Sequence, residues 1–90
     1  MLFIKTTDEK FEDIGFKLVK QDRHGAVYER WEEEFKYTHV LAIMFKLNGK
    51  HLVQSYTKES CTSQGCDTVG LTYQEMKLAL AKMKELGYDK

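Results

Sequence analysis

The two residues with the most reactive side chains are cysteines, Cys61 and Cys66, and they share one polar segment. Residues 58–70 are rich in Ser, Thr and Gly, which predicts a loop. A structural zinc site needs four ligands, mainly Cys and His, and no second paired motif accompanies these cysteines. A reversible disulfide is an alternative because a loop can bring two sulfurs together. We predict two free thiols, with a zinc site and a disulfide as the alternatives.

Nucleophilic catalysis needs a Cys or Ser beside a base that a third group orients. Cys66, Asp67 and His51 are of the right types, but nothing in the sequence places them together. The sequence contains neither a phosphate-binding loop nor a dinucleotide fingerprint. We therefore predict a protein that is not an enzyme and that has no catalytic residue, cofactor or metal ligand. An enzyme or zinc protein that uses Cys61 and Cys66 is kept as an alternative.

Length and charge limit the classes of protein to consider. The 90 residues, 42% hydrophobic and 31% charged, predict a single globular domain over residues 1–90. Basic and acidic residues number 14 each, so the basic excess typical of a nucleic-acid-binding protein is missing. No apolar run approaches the roughly 20 residues that span a bilayer. Two cysteines are too few for a disulfide scaffold, so we expect a cytoplasmic protein without membrane contact.

The element with the strongest signal is a long C-terminal helix over residues 72–86. Thr72 and Glu75 have the spacing of a capping box, and Gly87 can end the helix. Apolar residues recur at helical spacing along it, which predicts that one stripe faces the core. That stripe comprises Met76, Ala79, Leu80, Met83 and Leu86.

A second, shorter helix is predicted near the N-terminus. Thr6 and Glu9 have capping-box spacing, and Gly15 stands where a glycine commonly ends a helix. Phe11 and Ile14 are three residues apart, so both can face a core. This helix is at most two turns long and depends on packing for its stability.

Four strands are predicted between the helices, at residues 16–20, 26–33, 38–47 and 50–57. Short connections favour an antiparallel meander. The fold class is therefore α+β, a four-stranded antiparallel meander sheet with a short N-terminal helix and a long C-terminal helix packed on one face. The residues of the first two strands that we expect to point inward are Phe16, Leu18, Val27 and Trp31.

The hairpin between the last two strands predicts which face the helix covers. Asn48-Gly49 is the preferred pair for a two-residue loop, and such a loop fixes the register of the strands. Ile43 is then opposite Gln54, and Leu41 is opposite Tyr56. The bulky apolar face, which we expect the helix to cover, comprises Leu41, Ile43, Phe45 and Leu52.

The second face of the sheet carries the functional prediction. Its side chains are smaller than those of the first face, but they are not predominantly polar. An exposed apolar area on a small domain often marks a partner surface. Exposed aromatics beside basic residues would instead favour nucleic acid, and Tyr28 and Arg30 alternate on the predicted outer side of the second strand. The predicted interaction face comprises Tyr28, Val40, Ala42, Met44 and Val53.

Short phrases spread over most of the chain form a recognisable pattern. The sequence reads FEDIGFKLV at residues 11–19, YER at 28–30, LTYQEM at 71–76 and KELGY at 84–88. This pattern resembles small uncharacterised proteins encoded by phages and prophages of Gram-positive bacteria. The resemblance implies an intracellular accessory role in phage or prophage biology and supplies no functional residues.

We therefore expect a small non-enzymatic module that binds another protein or a second copy of itself. The first alternative is a nucleic-acid-binding regulator from a mobile element. The second is the enzyme or zinc protein described above.

Overall fold

The computed structural model describes residues 4–88 and has the predicted α+β architecture. A short helix, α1, precedes an antiparallel sheet of strand order β1-β2-β3-β4, and a helix of 13 residues, α2, follows it. Within the described residues, no helix is long and apolar enough to cross a membrane. The elements are α1 Thr7–Asp13, β1 Lys17–Asp22, β2 Gly25–Glu32, β3 Tyr37–Met44, β4 Leu52–Thr57 and α2 Tyr73–Glu85, with a 3₁₀ turn at Lys58–Ser60.

Both helices begin at the predicted capping boxes. The Thr6 hydroxyl accepts a hydrogen bond from the Glu9 N–H at 3.1 Å, and the Glu9 carboxylate accepts one from the Thr6 N–H at 3.0 Å. Thr72 and Glu75 make the same two bonds at 3.1 and 2.8 Å. Each box satisfies two backbone N–H groups that a helix start otherwise leaves unpaired, which is why this sequence spacing predicts where a helix begins.

Strand β2 presents to the helices the face opposite to the one predicted. Ala26 pairs with Ile43 and Tyr28 with Leu41, and all four side chains are buried in the core with residues of both helices. Val27 and Trp31, which we expected to point inward, therefore lie on the other face, where Trp31 is 52% exposed. The reason is that the polar atoms of the inward side chains find partners on the helices: the Tyr28 hydroxyl bonds to Asp8, and the Arg30 guanidinium bonds to Glu75. Phe16 is buried as predicted, and Leu18 packs against the same core.

The predicted register of the last hairpin is wrong by one residue. Ile43 pairs with Val53 and Leu41 with Ser55, and the strands are joined by residues 45–51 instead of two residues. The Phe45 N–H donates to the His24 carbonyl at 2.9 Å, so Phe45 bonds to the turn between β1 and β2 and does not pair with β4. A shift of one residue reverses the faces of a strand. Leu52 therefore leaves the helix-covered face.

The same connection is held by aromatic packing. His51 stacks on Phe45 with ring centroids 4.6 Å apart, and Tyr88 contacts both rings at 4.8 and 5.3 Å. The Lys46 N–H donates to His51 Nδ1 at 3.0 Å. These contacts draw the connection towards the end of α2, which explains why the Asn48-Gly49 turn does not close directly onto the strands.

The inward stripe of α2 is more polar than the apolar spacing predicted. Ala79 is buried, and Leu78, Met83 and Leu86 pack against the core, but Met76 and Leu80 are 44% and 64% exposed. Two charged side chains, Glu75 and Lys82, are buried on the inward side instead. The helix is thus rotated so that these two charges reach partners on other elements.

A close approach between β2 and β3 makes Gly25 indispensable, and this can be tested. A Cβ atom at Gly25 would lie 1.8 Å from the Ile43 carbonyl oxygen, and its φ of 138° also disfavours other residues. We expect Gly25→Ala to lower the free energy of unfolding by about 3 kcal/mol or more, measured by urea denaturation. Gly70→Ala is the matched control because a Cβ there meets no atom within 4 Å. Equal stability of the two variants would contradict this prediction.

Candidate functional site

The face of the sheet opposite the helices, which we name the open face, brings together part of the predicted interaction face. Val40, Ala42 and Met44 lie on it, and the register adds side chains from the neighbouring strands that we did not predict. Tyr28 and Val53 do not belong to it, because Tyr28 is fully buried beneath the helices and Val53 packs against the same core. The side chains that share the open face are Val27, Glu29, Trp31, Thr38, Val40, Ala42, Met44, Leu52, Gln54 and Tyr56.

Exposure varies across the open face. Val40 and Ala42, at its centre, are only 2% and 5% exposed because the larger side chains around them shield them. Met44 and Tyr56 are half-buried. Beside Gly25 the small side chains leave a shallow depression of about 220 Å³. The atoms that a partner could contact are therefore those of the surrounding large residues, above all Trp31.

Charged side chains of both signs lie on the open face, with Glu29 opposite Val40 on the central strands. Lys17 and Lys20 flank it on β1, because they pair with Glu29 and Val27. Lys58, which follows β4, reaches Glu29 with a nitrogen–oxygen distance of 3.4 Å. The surface thus combines apolar side chains with an ion pair beside Val40 and with lysines along β1.

A cluster centred on Arg30 lies on the opposite side, between the sheet and the helices. The Arg30 guanidinium donates to Glu75 at 2.8 Å, to Glu32 at 2.6 Å and to the Ile14 carbonyl at 3.0 Å. It also stacks on the Phe16 ring, 4.3 Å from the ring centroid. Burial opposes the ionisation of Glu75, but hydrogen bonds from the Thr72 N–H and from Arg30 outweigh it and hold its pKa below the usual range. The cluster joins β2 to α2 and to the end of α1.

His39 and Ser55 form the pair in this cluster that most resembles catalytic machinery. His39 Nε2 lies 2.6 Å from the Ser55 hydroxyl, but His39 is only 1% exposed. Its Nδ1 atom faces the Arg30 guanidinium at 3.5 Å, with the Glu32 carboxylate at 4.0 Å. A guanidinium only donates, so Nδ1 accepts and Nε2 carries the proton that it donates to Ser55. A general base for Ser55 requires the opposite tautomer.

A second polar cluster joins the two helices to the sheet. Asp8 accepts hydrogen bonds from the Tyr28 hydroxyl and, at 3.0 Å, from the Lys82 ammonium. Burial opposes the ionisation of Asp8, but these two bonds outweigh it and lower its pKa. Burial and the neighbouring Asp8 raise the pKa of Tyr28 far above its usual range. The Phe11 ring stacks on Tyr28 with centroids 4.0 Å apart, so the residue is part of the core.

The cysteines are joined in a disulfide, which corrects the prediction of two free thiols. Cys61 and Cys66 have Cα atoms 4.1 Å apart and enclose a small turn in which the Thr62 N–H donates to the Gly65 carbonyl at 2.8 Å. Among residues 4–88, no group of three or more His, Cys, Asp or Glu side chains is placed to hold a metal ion.

No protein family, curated protein or solved structure matches this chain.

The Arg30–Glu75 ion pair gives a direct test of the buried cluster. Glu75 is 4% exposed in its side chain, so removal of the guanidinium leaves a buried carboxylate without its cation. We expect Arg30→Met to lower the free energy of unfolding by about 3–5 kcal/mol in urea denaturation. Lys5→Met, which breaks the exposed Lys5–Asp13 pair, is the matched control and should cost much less. Similar losses in the two variants would contradict the assignment.

Buried His39 predicts a pH dependence of stability with a defined sign. Burial, assisted by Arg30, lowers the pKa of His39 against the opposing attraction of Glu75 and Glu32, so the folded chain binds a proton less readily than the unfolded one. Stability should be full above about pH 6.5 and should fall as the pH drops towards the lower pKa of folded His39. Urea denaturation from about pH 8 to about pH 5 measures this slope. His39→Gln should flatten it; an unchanged slope would contradict the prediction.

Proposed function

We propose that this chain is a non-enzymatic association module that binds a second copy of itself through the open face. The observation that carries the proposal is the placement of both helices on one side of the sheet. Phe11 of α1 and Ala79 of α2 belong to one core cluster with Tyr28 and Leu41. Neither helix packs on the open face, where Trp31 is 52% exposed.

Two properties of the chain support a second copy as the occupant. Its formal net charge is zero, so two copies approach without net electrostatic repulsion. A chain of 90 residues buries only about 60–65% of its unfolded surface, so additional burial by association contributes usefully to stability. Two sheet faces of this kind can pack in the aligned manner of a β-sandwich.

The resemblance noted in the sequence supports a setting for this module. We propose an accessory role in phage or prophage biology, carried out in the cytoplasm. The nucleic-acid alternative was based on Tyr28 and Arg30 as outward residues, and both instead face the helices, where Tyr28 is buried and Arg30 is engaged by Glu75. Without them, the sheet surface offers less support for that alternative than for association between proteins.

Association can be tested by light scattering on purified protein over a concentration series. The wild-type chain should show a molar mass that rises from monomer to dimer. Met44→Lys should weaken association at least about tenfold because it places a charge inside the apolar contact. Trp31→Gln should weaken it too, since it removes the largest exposed apolar side chain of the open face.

Leu80→Lys is the matched control for Met44→Lys. Leu80 is 64% exposed on α2, on the other side of the sheet, so the same type of charge introduced there should leave association unchanged. A wild-type chain that stays monomeric at every concentration would contradict the proposal. So would equal association of the Met44→Lys and wild-type chains, with circular dichroism showing that both are folded.

A further inference from the structure

The two edges of the sheet differ in how they are protected from pairing with another strand. β1, at one edge, carries Lys17 and Lys20 and is interrupted by a register shift between Leu18 and Lys20. Charged side chains, especially lysines, and irregularities are common protections of natural edge strands. β4, at the other edge, has the sequence LVQSYT and contains no charged residue and no proline. By composition, β4 is suited to pairing and lacks these protections.

A short segment of the following loop occupies the outer edge of β4. The Thr57 N–H donates to the Asp67 carbonyl, and the Val69 N–H donates to the Ser55 carbonyl, each at 3.0 Å. Tyr56 is opposite Thr68 in this antiparallel bridge. We name residues 67–69 the guard segment because they occupy two of the hydrogen-bonding groups that β4 would offer to another strand, the Thr57 N–H and the Ser55 carbonyl.

The guard segment is held by few interactions other than the disulfide. Cys61 and Cys66 close the turn that leads into it, and the Asp67 N–H donates to the Ser60 hydroxyl at 2.8 Å. Residues 61–68 are all exposed, and Val69 is half-buried. Since little apolar surface is buried here, the connection from β4 to the guard segment depends on the covalent link more than on packing.

We propose that the Cys61–Cys66 disulfide controls whether the edge of β4 is free to pair with β4 of a second copy. Reduction by two equivalents of a low-molecular-weight thiol breaks the sulfur–sulfur bond, leaves two protein thiols and converts the reductant to its own disulfide. The guard segment then loses its tether and leaves the edge. In a reducing compartment the open edge predominates, and oxidation closes it.

A second copy fits this edge because β4 is compatible with itself. Antiparallel pairing centred on Ser55 places Val53 opposite Thr57 of the second copy, and Gln54 opposite Tyr56 of the second copy. No like charges meet, and pairs of this kind stabilise sheets. The result is one continuous eight-stranded sheet, related by a two-fold axis.

This inference concerns a different surface from the open face and does not depend on association there. The Met44→Lys background, which disables the open face, isolates the edge. In that background the oxidised chain should be monomeric, and the chain reduced by dithiothreitol should double its molar mass by light scattering. If the open-face proposal is wrong, the oxidised wild-type chain stays monomeric. If the edge proposal is wrong, the reduced Met44→Lys chain stays monomeric.

Release of the guard segment is measured by amide hydrogen exchange resolved by NMR. On reduction in dilute solution, exchange at the Thr57 and Val69 amides should accelerate about tenfold or more, because each is bonded across the β4–guard bridge. The Leu41 amide, in the central strand, is the internal control and should not change. Unchanged exchange at Thr57 would overturn the proposal.

Variants test the edge without a reductant. Cys61→Ser with Cys66→Ser should reproduce the reduced state under all conditions, giving a dimer in the Met44→Lys background. Adding Gln54→Lys should abolish that dimer by placing a charge on the uncharged edge strand, while Gln54→Thr, the matched control, should keep it. A dimer that persists with Gln54→Lys, or a monomer despite release of the guard segment, would overturn pairing through β4.

Discussion

The ion pair between Arg30 and Glu75 is the interaction on which the arrangement of this protein depends. It is a buried contact between the sheet and α2. Glu75 also accepts a hydrogen bond from the Thr72 N–H at the helix cap, and Arg30 also donates to the Ile14 carbonyl at the end of α1. Burying two charges is costly, so this pair is favourable only while every donor and acceptor in it is satisfied. His39 Nδ1, which lies 3.5 Å from the Arg30 nitrogen that binds Glu75, completes the cluster.

This pair determines which side of the sheet becomes the core. With Arg30 turned towards α2, the alternation of β2 sends Tyr28 inward and Val27 and Trp31 outward. Asp8 favours the same orientation of β2, because it accepts hydrogen bonds from both the Tyr28 hydroxyl and the Lys82 ammonium. The open face is therefore a consequence of polar bonding on the opposite side, which leaves Val27 and Trp31 on it.

The sequence predicted the elements better than it predicted their faces. Capping boxes such as Thr72 with Glu75 are local, so both helices could be predicted, and the short connections predicted the antiparallel order. The face of β2 could not, because apolar spacing favoured Val27 and Trp31, and the partners that make Arg30 suitable for burial are distant in the chain. Glu75 and Lys82, seven residues apart on one side of α2, were the available sign of a polar inward stripe.

The single tryptophan of the chain offers the most direct test of this account. Trp31 is 52% exposed on the open face, so its fluorescence reports whether that face is covered. If copies associate through the open face, the emission maximum should move to shorter wavelength as protein concentration rises, in step with the molar mass. A maximum that stays constant while the molar mass rises would show that association uses another surface and would contradict the central claim.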